Sequence, residues 1–383
     1  MGVAEGNRQG LDGEIGSIQP GRRAGLAAFH SAPDLATSNA YGLAARRELP
    51  PPSLAYARNR GRFLMAKNAA VRISPLRESE LEEAVRIVRL AFGTFLGLPD
   101  PMQFMGDRDL MTPRWRARNT KVLAARIDGR LVGSNVITRW GSFGFFGPLT
   151  VLPEFWDHGV AKRLMEGTVK VLDGWKLRHS GLFTFAQSAK HVGLYNKFGF
   201  WPGHLTALMQ HTPATGALAS NGRAPVLLST LKKSPREEAI RACARLTNGI
   251  DKGLDLSDEI RAVLAQGVGD VVTIGSRSKL DGFALCMNGP GSEGGAKTCY
   301  VKFGVVRGGD GADARFDRLL DAIEGFAVSR GAGVEAGVNL ARRAAYARMR
   351  AHGYKTTAQG VAMHRPHGDG FNRADVYAID DWR

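Results

Sequence analysis

The feature that most constrains this chain is an internal repeat. At a constant offset of 155 residues, Val71, Ser74, Leu76, Ser79, Glu82, Glu83, Ala84 and Arg86 meet Val226, Ser229, Leu231, Ser234, Glu237, Glu238, Ala239 and Arg241. The same offset pairs Val151 with Val306 and Arg163-Leu164 with Arg318-Leu319; an offset of 154 pairs Gly199 with Gly353 and Met209 with Met363. Isolated identities arise by chance. Two Ser-x-x-Glu capping boxes at the same place in the same order of elements are a much stronger signal. A repeat of about 150 residues has the size of one domain, so the chain reads as two copies of one module.

Pattern sets the order of elements in the first copy. "VRI" at 71–73 is a short strand, and "SELEEAVRIVRLAF" is a helix opened by the Ser79-x-x-Glu82 box. "KVLAARIDGRLVGSNVITRW" is a hairpin turning at Asp128-Gly129, the dipeptide that tolerates positive φ. Next come the strand "GFFGPLTVLP", the helix "AKRLMEGTVKVLDGW", the strand "GLFTFAQS", the helix of "AKHVGLYNKFGF" and the strand "LTALMQ". Such alternation predicts an α/β class built as an α+β mixed sheet flanked by helices. The organisation expected is a disordered leader over 1–67, a first module over 68–212, a linker over 213–224, a second module over 225–368 and a tail over 369–383. The leader is rich in Gly, Ala, Ser and Arg, contains "LPPPS" and shows no sustained periodicity. Met65 opens "MAKNAAVRISPLRESE" as a natural start of a domain, so the leader is read as an extension from an upstream start.

Hydrophobic residues make up 44% of the chain, enough for real cores. No apolar run approaches the ~18 residues of a membrane span, and the first residues lack a signal-peptide core. Cys243, Cys286 and Cys299 form no CxxC pair, which fits a reducing cytoplasm. The formal net charge of +16 attracts polyanions, yet an Arg-rich surface without a dedicated partner has the same charge. No stretch interleaves basic and aromatic residues as a platform for single-stranded nucleic acid does, and nothing points to a membrane partner.

The strand ending at Val151 hands over to a helix through Gly159-Val160-Ala161. A helix N-terminus offers unpaired N–H groups and the positive end of its dipole, where a phosphate can sit if side chains leave room. Gly159 and Ala161 leave room, while Val160 points to the core; tight strand-to-helix packing yields the same pattern. "VLPEFWDHGVAKRL" resembles the acyl-CoA motif of the GNAT superfamily of N-acyltransferases, Gln/Arg-x-x-Gly-x-Gly/Ala, and "HVGLYNKFGF" resembles its Leu-Tyr-x-x-x-Gly-Phe hallmark. The resemblance covers residues 70–212 and, through the repeat, 225–366.

The resemblance implies acetyl-CoA as cosubstrate and a small-molecule or peptide amine as acceptor, with no metal. It places pantetheine along Leu149, Thr150 and Val151, with the Val151 N–H on the thioester carbonyl. It places pyrophosphate on the N–H groups of His158, Gly159, Val160, Ala161 and Lys162, and makes Tyr195 the proton donor to the departing thiolate. Ser188 stands where the family commonly has Asn, Trp156 where it has Gln or Arg, and Asp157 puts a negative charge beside the phosphates. Ser188, His191 and Tyr195 share one helix face; His191 is read as a surface or CoA-contacting residue. The general base is not identified.

Other motifs read more plainly. "WGSFGFFGP" (Trp140, Phe143, Phe145, Phe146) could wall an acceptor pocket, and alternation assigns most of it to core. "GPGSEGG" at 289–295 matches GxGxxG but precedes a strand, so it is a flexible hairpin rather than a dinucleotide loop. His364 and His367 lack a further ligand cluster. In the second copy the 155 offset sets Ala314 opposite Gly159 and Phe316 opposite Ala161, with Asp310, Asp313 and Asp317 nearby. Met349 replaces Tyr195, and Tyr346 points elsewhere. The second copy is therefore expected to bind no CoA.

The function that follows is N-acetyl transfer by direct attack, catalysed by the first copy. The rival from another class is a regulatory protein that senses acyl-CoA or binds nucleic acid without turnover. Tandem copies also occur in mycothiol synthases, which leaves a thiol-biosynthesis amine as an alternative acceptor. Because the leader lacks apolar faces, a chain beginning at Met65 is expected to match the full chain in melting temperature and CoA affinity, measured by calorimetry.

Overall fold

A β-strand carries hydrogen-bonding groups on both edges, and the two copies satisfy theirs by trading strands. In the computed structural model, residues 70–214, 225–276 and 279–383 are described. The leader expected over 1–67 and most of the linker expected over 213–224 lie outside those residues. The first copy runs β1 (Arg72–Pro75), α1 (Leu81–Phe95), α2 (Thr112–Arg116), β2 (Thr120–Ile127), β3 (Arg130–Trp140), β4 (Phe143–Val151), α3 (Val160–Gly174), β5 (His179–Thr184), α4 (Ala189–Asn196) and β6 (Trp201–His211). The second runs β7 (Val226–Leu227), α5 (Lys233–Ile250), α6 (Ser257–Gln266), β8 (Gly269–Gly275), β9 (Leu280–Gly289), β10 (Gly295–Val306), α7 (Ala312–Ser329), β11 (Gly333–Asn339), α8 (Arg343–Ala351) and β12 (Lys355–Arg365). A short β13 (Ala378–Ile379) follows.

All of these strands join one sheet, ordered β1-β2-β3-β4-β5-β12-β6-β11-β10-β9-β8-β7, with β13 on β10. The last strand of each copy has crossed into the other. β12 pairs with β5 (Met363 opposite Leu182), β6 pairs with β11 (Met209 opposite Ala336), and β6 and β12 pair with each other. The mixed α/β class is therefore realised as a single continuous sheet. Parallel pairing is confined to β4 with β5 and β10 with β11 among the described strands.

The Asp128-Gly129 turn forms as expected, with φ of 50° and 82°. The capping boxes do not. An N-cap needs extended backbone just ahead of the helix, and the chain is extended at Arg77 and Lys232, two residues before the serines. Ser79 therefore lies inside a 3-10 turn at Glu78–Glu80, and it is Glu80 whose Oε2 accepts the Arg77 N–H at 2.9 Å. Ser234 lies inside α5, and Glu237 pairs with Arg261 at 2.9 Å instead. The displacement is the same in both copies, so the repeat itself stands.

Two further expectations are corrected. Residues 369–383 are no free tail: Phe371, Val376, Ala378, Ile379 and Trp382 are buried, because this apolar run has a cleft to fill. The 289–295 loop joins β9 to β10 as a hairpin, but it is docked rather than flexible. Ser292 and Glu293 are buried, and Asp107 Oδ2 accepts the Ala296 N–H at 2.8 Å.

Alternation along β4 divides its aromatics. Phe146 enters the core of the first copy with Val136 and Leu164. Phe143 and Phe145 join Trp140, Phe283, Phe303, Phe371 and Trp382 in a core shared by both copies. A third core lies under α7 and α8, around Phe316, Ile323 and Met349.

A buried ionic seam joins the copies. Lys302 Nζ lies 2.8 Å from Glu259 and 2.5 Å from Glu293, Arg114 closes on Glu293, and Arg108 grips Glu335 with two bonds of 3.1 Å. Buried pairs cost desolvation, so their contribution is to orientation more than to net stability. A fragment of residues 70–214 would strip β6 of both its partners and β5 of one. It is expected to show no cooperative melting and to aggregate, in circular dichroism and gel filtration, while the full chain melts cooperatively.

Candidate active site

Parallel strands that part leave backbone groups without a ladder. β4 and β5 pair from Phe143 opposite His179 to Phe146 opposite Leu182 and then separate. Pro148 has no N–H and cannot extend that ladder. A cavity of about 960 Å³ opens at the gap. On the other edge of β4, Leu152 N–H reaches Val132 O at 2.9 Å, and Gly133 lies opposite Val151. Antiparallel pairs alternate between bonded and unbonded, so the Val151 N–H points away from β3, toward the gap. The Val151 carbonyl accepts from Trp156 Nε1 at 2.7 Å. Trp156 thus fastens the strand end, a role its sequence position did not suggest.

Beyond a short turn, Gly159 caps α3 with φ of 75°, a left-handed conformation that favours glycine, and no side chain caps the helix. Its first N–H groups have no intrahelical acceptor. Ala161 and Lys162 line the cavity with Leu149, Thr150 and Val151; Val160 also touches it but is buried in the core, as expected. His158 is exposed and outside the lining, its Nδ1 2.7 Å from Trp156 O. The Asp157 carboxylate sits 2.5 Å from Lys190 Nζ, which offsets its charge beside the helix end.

From the other side comes α4, capped by Ser188, whose Oγ accepts the His191 N–H at 3.5 Å. Ser188, His191 and Tyr195 all line the cavity, as their spacing predicts. Tyr195 stands edge-on to Phe146, ring centres 5.7 Å apart. Burial pushes its phenol well above the usual range, so it stays protonated. Burial also pulls the His191 imidazole down, leaving it neutral at pH 7. Its ring lies 5.0 Å from Phe95.

The residues of two further walls carry no mark in the sequence, though a wall from the second copy fits its expected supporting role. One is aromatic: Phe92 stacks on Phe104 at 5.2 Å, and Phe95 meets Phe185 at 5.1 Å. The other comes from the second copy, through Glu293, Tyr300, Glu335, Gln359 and Arg383. Burial pushes the Glu293 carboxyl up, but Arg114 and Lys302 outweigh it and hold it at about 2. Tyr300 Oη donates to Asp381 at 2.8 Å, and Arg383 lies over the Tyr300 ring while reaching Glu335 at 2.9 Å. These residues gather only through tertiary pairing, and no local pattern marks them.

The corresponding place in the second copy needs realignment. Eight positions separate Val151 from Gly159, but five separate Val306 from Gly311, which caps α7 with φ of 75°. With three residues fewer in this loop, Gly311 rather than Ala314 matches Gly159, and Asp313 rather than Phe316 matches Ala161. Phe316 is core and takes the position that Leu164, also core, holds in the first copy. Met349 does take the place of Tyr195. Each precedes a left-handed glycine by four residues, and each carbonyl accepts the N–H five residues on, at 3.1 and 3.2 Å.

His364 is buried with Nδ1 2.8 Å from His179 Nε2, and burial first, then His179, pushes it down to about 3. Asp321, Glu324 and His352 bring ligand atoms within 4.8 Å of one another. A bond to Glu324, opposed by burial and aided by the nearby acids, raises the His352 pKa, favouring the cation over the neutral form a metal needs. The three cysteines are free and buried. Among the described residues no helix is long and apolar enough to cross a membrane.

The Acetyltransferase (GNAT) family profile matches residues 88–200. No curated protein sequence matches the chain. Among solved structures, one from Pyrococcus horikoshii, provisionally assigned as an acetyltransferase, is 15% identical and superposes with a TM-score of 0.59 over 82% of this chain and 95% of its own. The glucosamine N-acetyltransferase region of a fungal multi-domain β-N-acetylglucosaminidase is 15% identical, with a TM-score of 0.54 over 78% of this chain and 38% of its own. At such identities the likeness is one of fold. The realignment supplies a direct test of the helix end. Ala161→Asp, which copies Asp313, is expected to raise the CoA dissociation constant about tenfold or more by setting a carboxylate where phosphate is favoured, read by titration calorimetry.

Proposed function

We propose that this chain, whose residues 88–200 match the Acetyltransferase (GNAT) family profile, is an acyltransferase that moves an acetyl group from acetyl-CoA to an amine by direct attack. The observation that carries this reading is the meeting of three groups on one cavity: the Val151 N–H left without a ladder partner, the uncapped start of α3, and the buried, protonated Tyr195. Pantetheine would follow Leu149, Thr150 and Val151. Pyrophosphate would take the N–H groups from Gly159 to Lys162, with Ser188 facing the cofactor from α4, while His158, off the cavity lining, would stand outside that set. Lys190 beside Asp157 would offset part of the negative charge near the phosphates.

The Val151 N–H would donate to the thioester oxygen and hold the negative charge that develops there as the amine attacks. The new C–N bond forms, the C–S bond breaks, and Tyr195 gives its proton to the departing thiolate. The amine's own proton needs a base. Glu293 is held at about 2 by its cations, and Glu335 accepts bonds from Arg108, Gln210 and Arg383. We assign the neutral His191 imidazole, directly or through water, as the acceptor. The wall of Phe92, Phe95, Phe104 and Phe185 favours an amine on an apolar or aromatic body.

Release of free CoA with a panel of such amines tests the activity; binding of acetyl-CoA without turnover of any of them would favour a sensor. Tyr195→Phe is expected to retain acetyl-CoA binding while kcat falls by about 10²–10⁴-fold, the usual worth of a general acid. Single-turnover kinetics under rate-limiting chemistry checks it, and an unchanged rate would remove Tyr195 from the role.

A further inference from the structure

The second copy contains the same parted strands, yet its gap is filled. β10 and β11 pair from Thr298 opposite Gly333 to Val301 opposite Ala336 and then separate, at positions matching the parting of β4 from β5. Into this gap runs the chain's closing segment. β13 lies antiparallel on β10, with Ala378 opposite Val305 and Ile379 opposite Gly304. Val306, the counterpart of Val151, gives its N–H to the Tyr377 carbonyl at 3.1 Å. Tyr377 Oη reaches Asp313 in the first turn of α7 at 2.6 Å.

The surroundings are shaped to this segment. Arg342 stands at the N-cap position of α8, which Ser188 fills in α4, and its buried guanidinium holds Ala378 O at 3.1 Å, Asp380 at 2.6 Å and Asn372 at 2.6 Å. Two strand glycines admit it closely. A Cβ on Gly337 would lie 2.3 Å from the Asp381 side chain, and one on Gly181 would lie 2.7 Å from the Trp382 ring. Glycine weakens a strand interior, and close approach of the segment accounts for both.

We infer that residues 376–382 are a built-in occupant of a second donor cleft. The cleft takes an extended peptide in place of an acyl-pantetheine arm, and the Tyr377 carbonyl takes the N–H that a thioester carbonyl takes in the first copy. The comparison rests on the donor reading of the first cleft. The occupied cleft binds no acyl-CoA, so one molecule binds per chain. Just beyond it the chain brings Arg383 to the wall of the first copy's cavity, while Asp381 accepts from Tyr300 Oη of that wall.

Hydrogen exchange resolved to single amides, with and without saturating acetyl-CoA, tests this on the full chain. In the free protein the Val306 amide is expected to exchange about a hundredfold or more slower than that of Val151. Acetyl-CoA should slow Val151, leave Val306 and residues 376–380 unchanged, and bind with a stoichiometry of one by calorimetry. Rapid exchange at Val306 in the free protein, faster exchange at 376–380 on adding acetyl-CoA, or a stoichiometry of two would overturn the proposal. Failure of the donor reading shows separately, as no acetyl-CoA binding and an unresponsive Val151, whereas Val306 still reports whether the segment holds its cleft.

Discussion

The structure depends on the crossing of two strands. β5 and β11 each end a run of strands from one copy, and each would present a bare edge without the last strand of the other copy. β12 covers β5, β6 covers β11, and the two crossing strands pair with each other. Every later feature follows from that closure. The shared core around Trp140, Phe303 and Trp382 needs both copies in one orientation, and so does the ionic seam through Arg108, Arg114 and Lys302. Because the seam is buried, its charges are matched only in that arrangement, which gives it directional rather than cohesive value.

The two clefts show one backbone device put to two uses. Parting a pair of parallel strands releases backbone donors and acceptors that must be met by water, ligand or chain. In the first copy Pro148 marks the start of the gap, Trp156 secures its edge, and the space stays open. In the second, a shorter loop brings Asp313 to the helix start, and the closing segment completes the ladder. At equivalent positions, Arg342 stands in place of Ser188, Asp313 in place of Ala161 and Met349 in place of Tyr195, which records the difference residue by residue.

Much of this was legible in the sequence because it is local or periodic. The repeat, the Asp128-Gly129 turn, the uncapped helix start at Gly159 and the shared face of Ser188, His191 and Tyr195 all follow from spacing. Helix starts were misread by two residues, because Ser-x-x-Glu describes a cap only where the backbone before it is extended, and here that point is Arg77 or Lys232. A constant offset failed across the β10–α7 loop because deletions fall in loops, which made Phe316 look like an obstruction when it is core. The crossing of β6 and β12, the burial of 371–382 and the wall of Glu335, Tyr300 and Arg383 could not be read at all. They are pairings between residues more than a hundred positions apart, or fillings of a space that exists only once the sheet has formed.

The crossed strands also bear on how the molecule is made. β6 leaves the ribosome with the first copy, but its neighbours β11 and β12 are still unsynthesised. At ~5–20 residues per second, the ~150 residues up to the end of β12 take roughly ten to thirty seconds. During that interval the edges of β5 and β6 have no native partner, and exposed edges invite pairing between nascent chains. The first copy, complete in sequence, is thus incomplete as an object until the second has emerged, and the cell must shelter an almost finished domain while its last wall is translated.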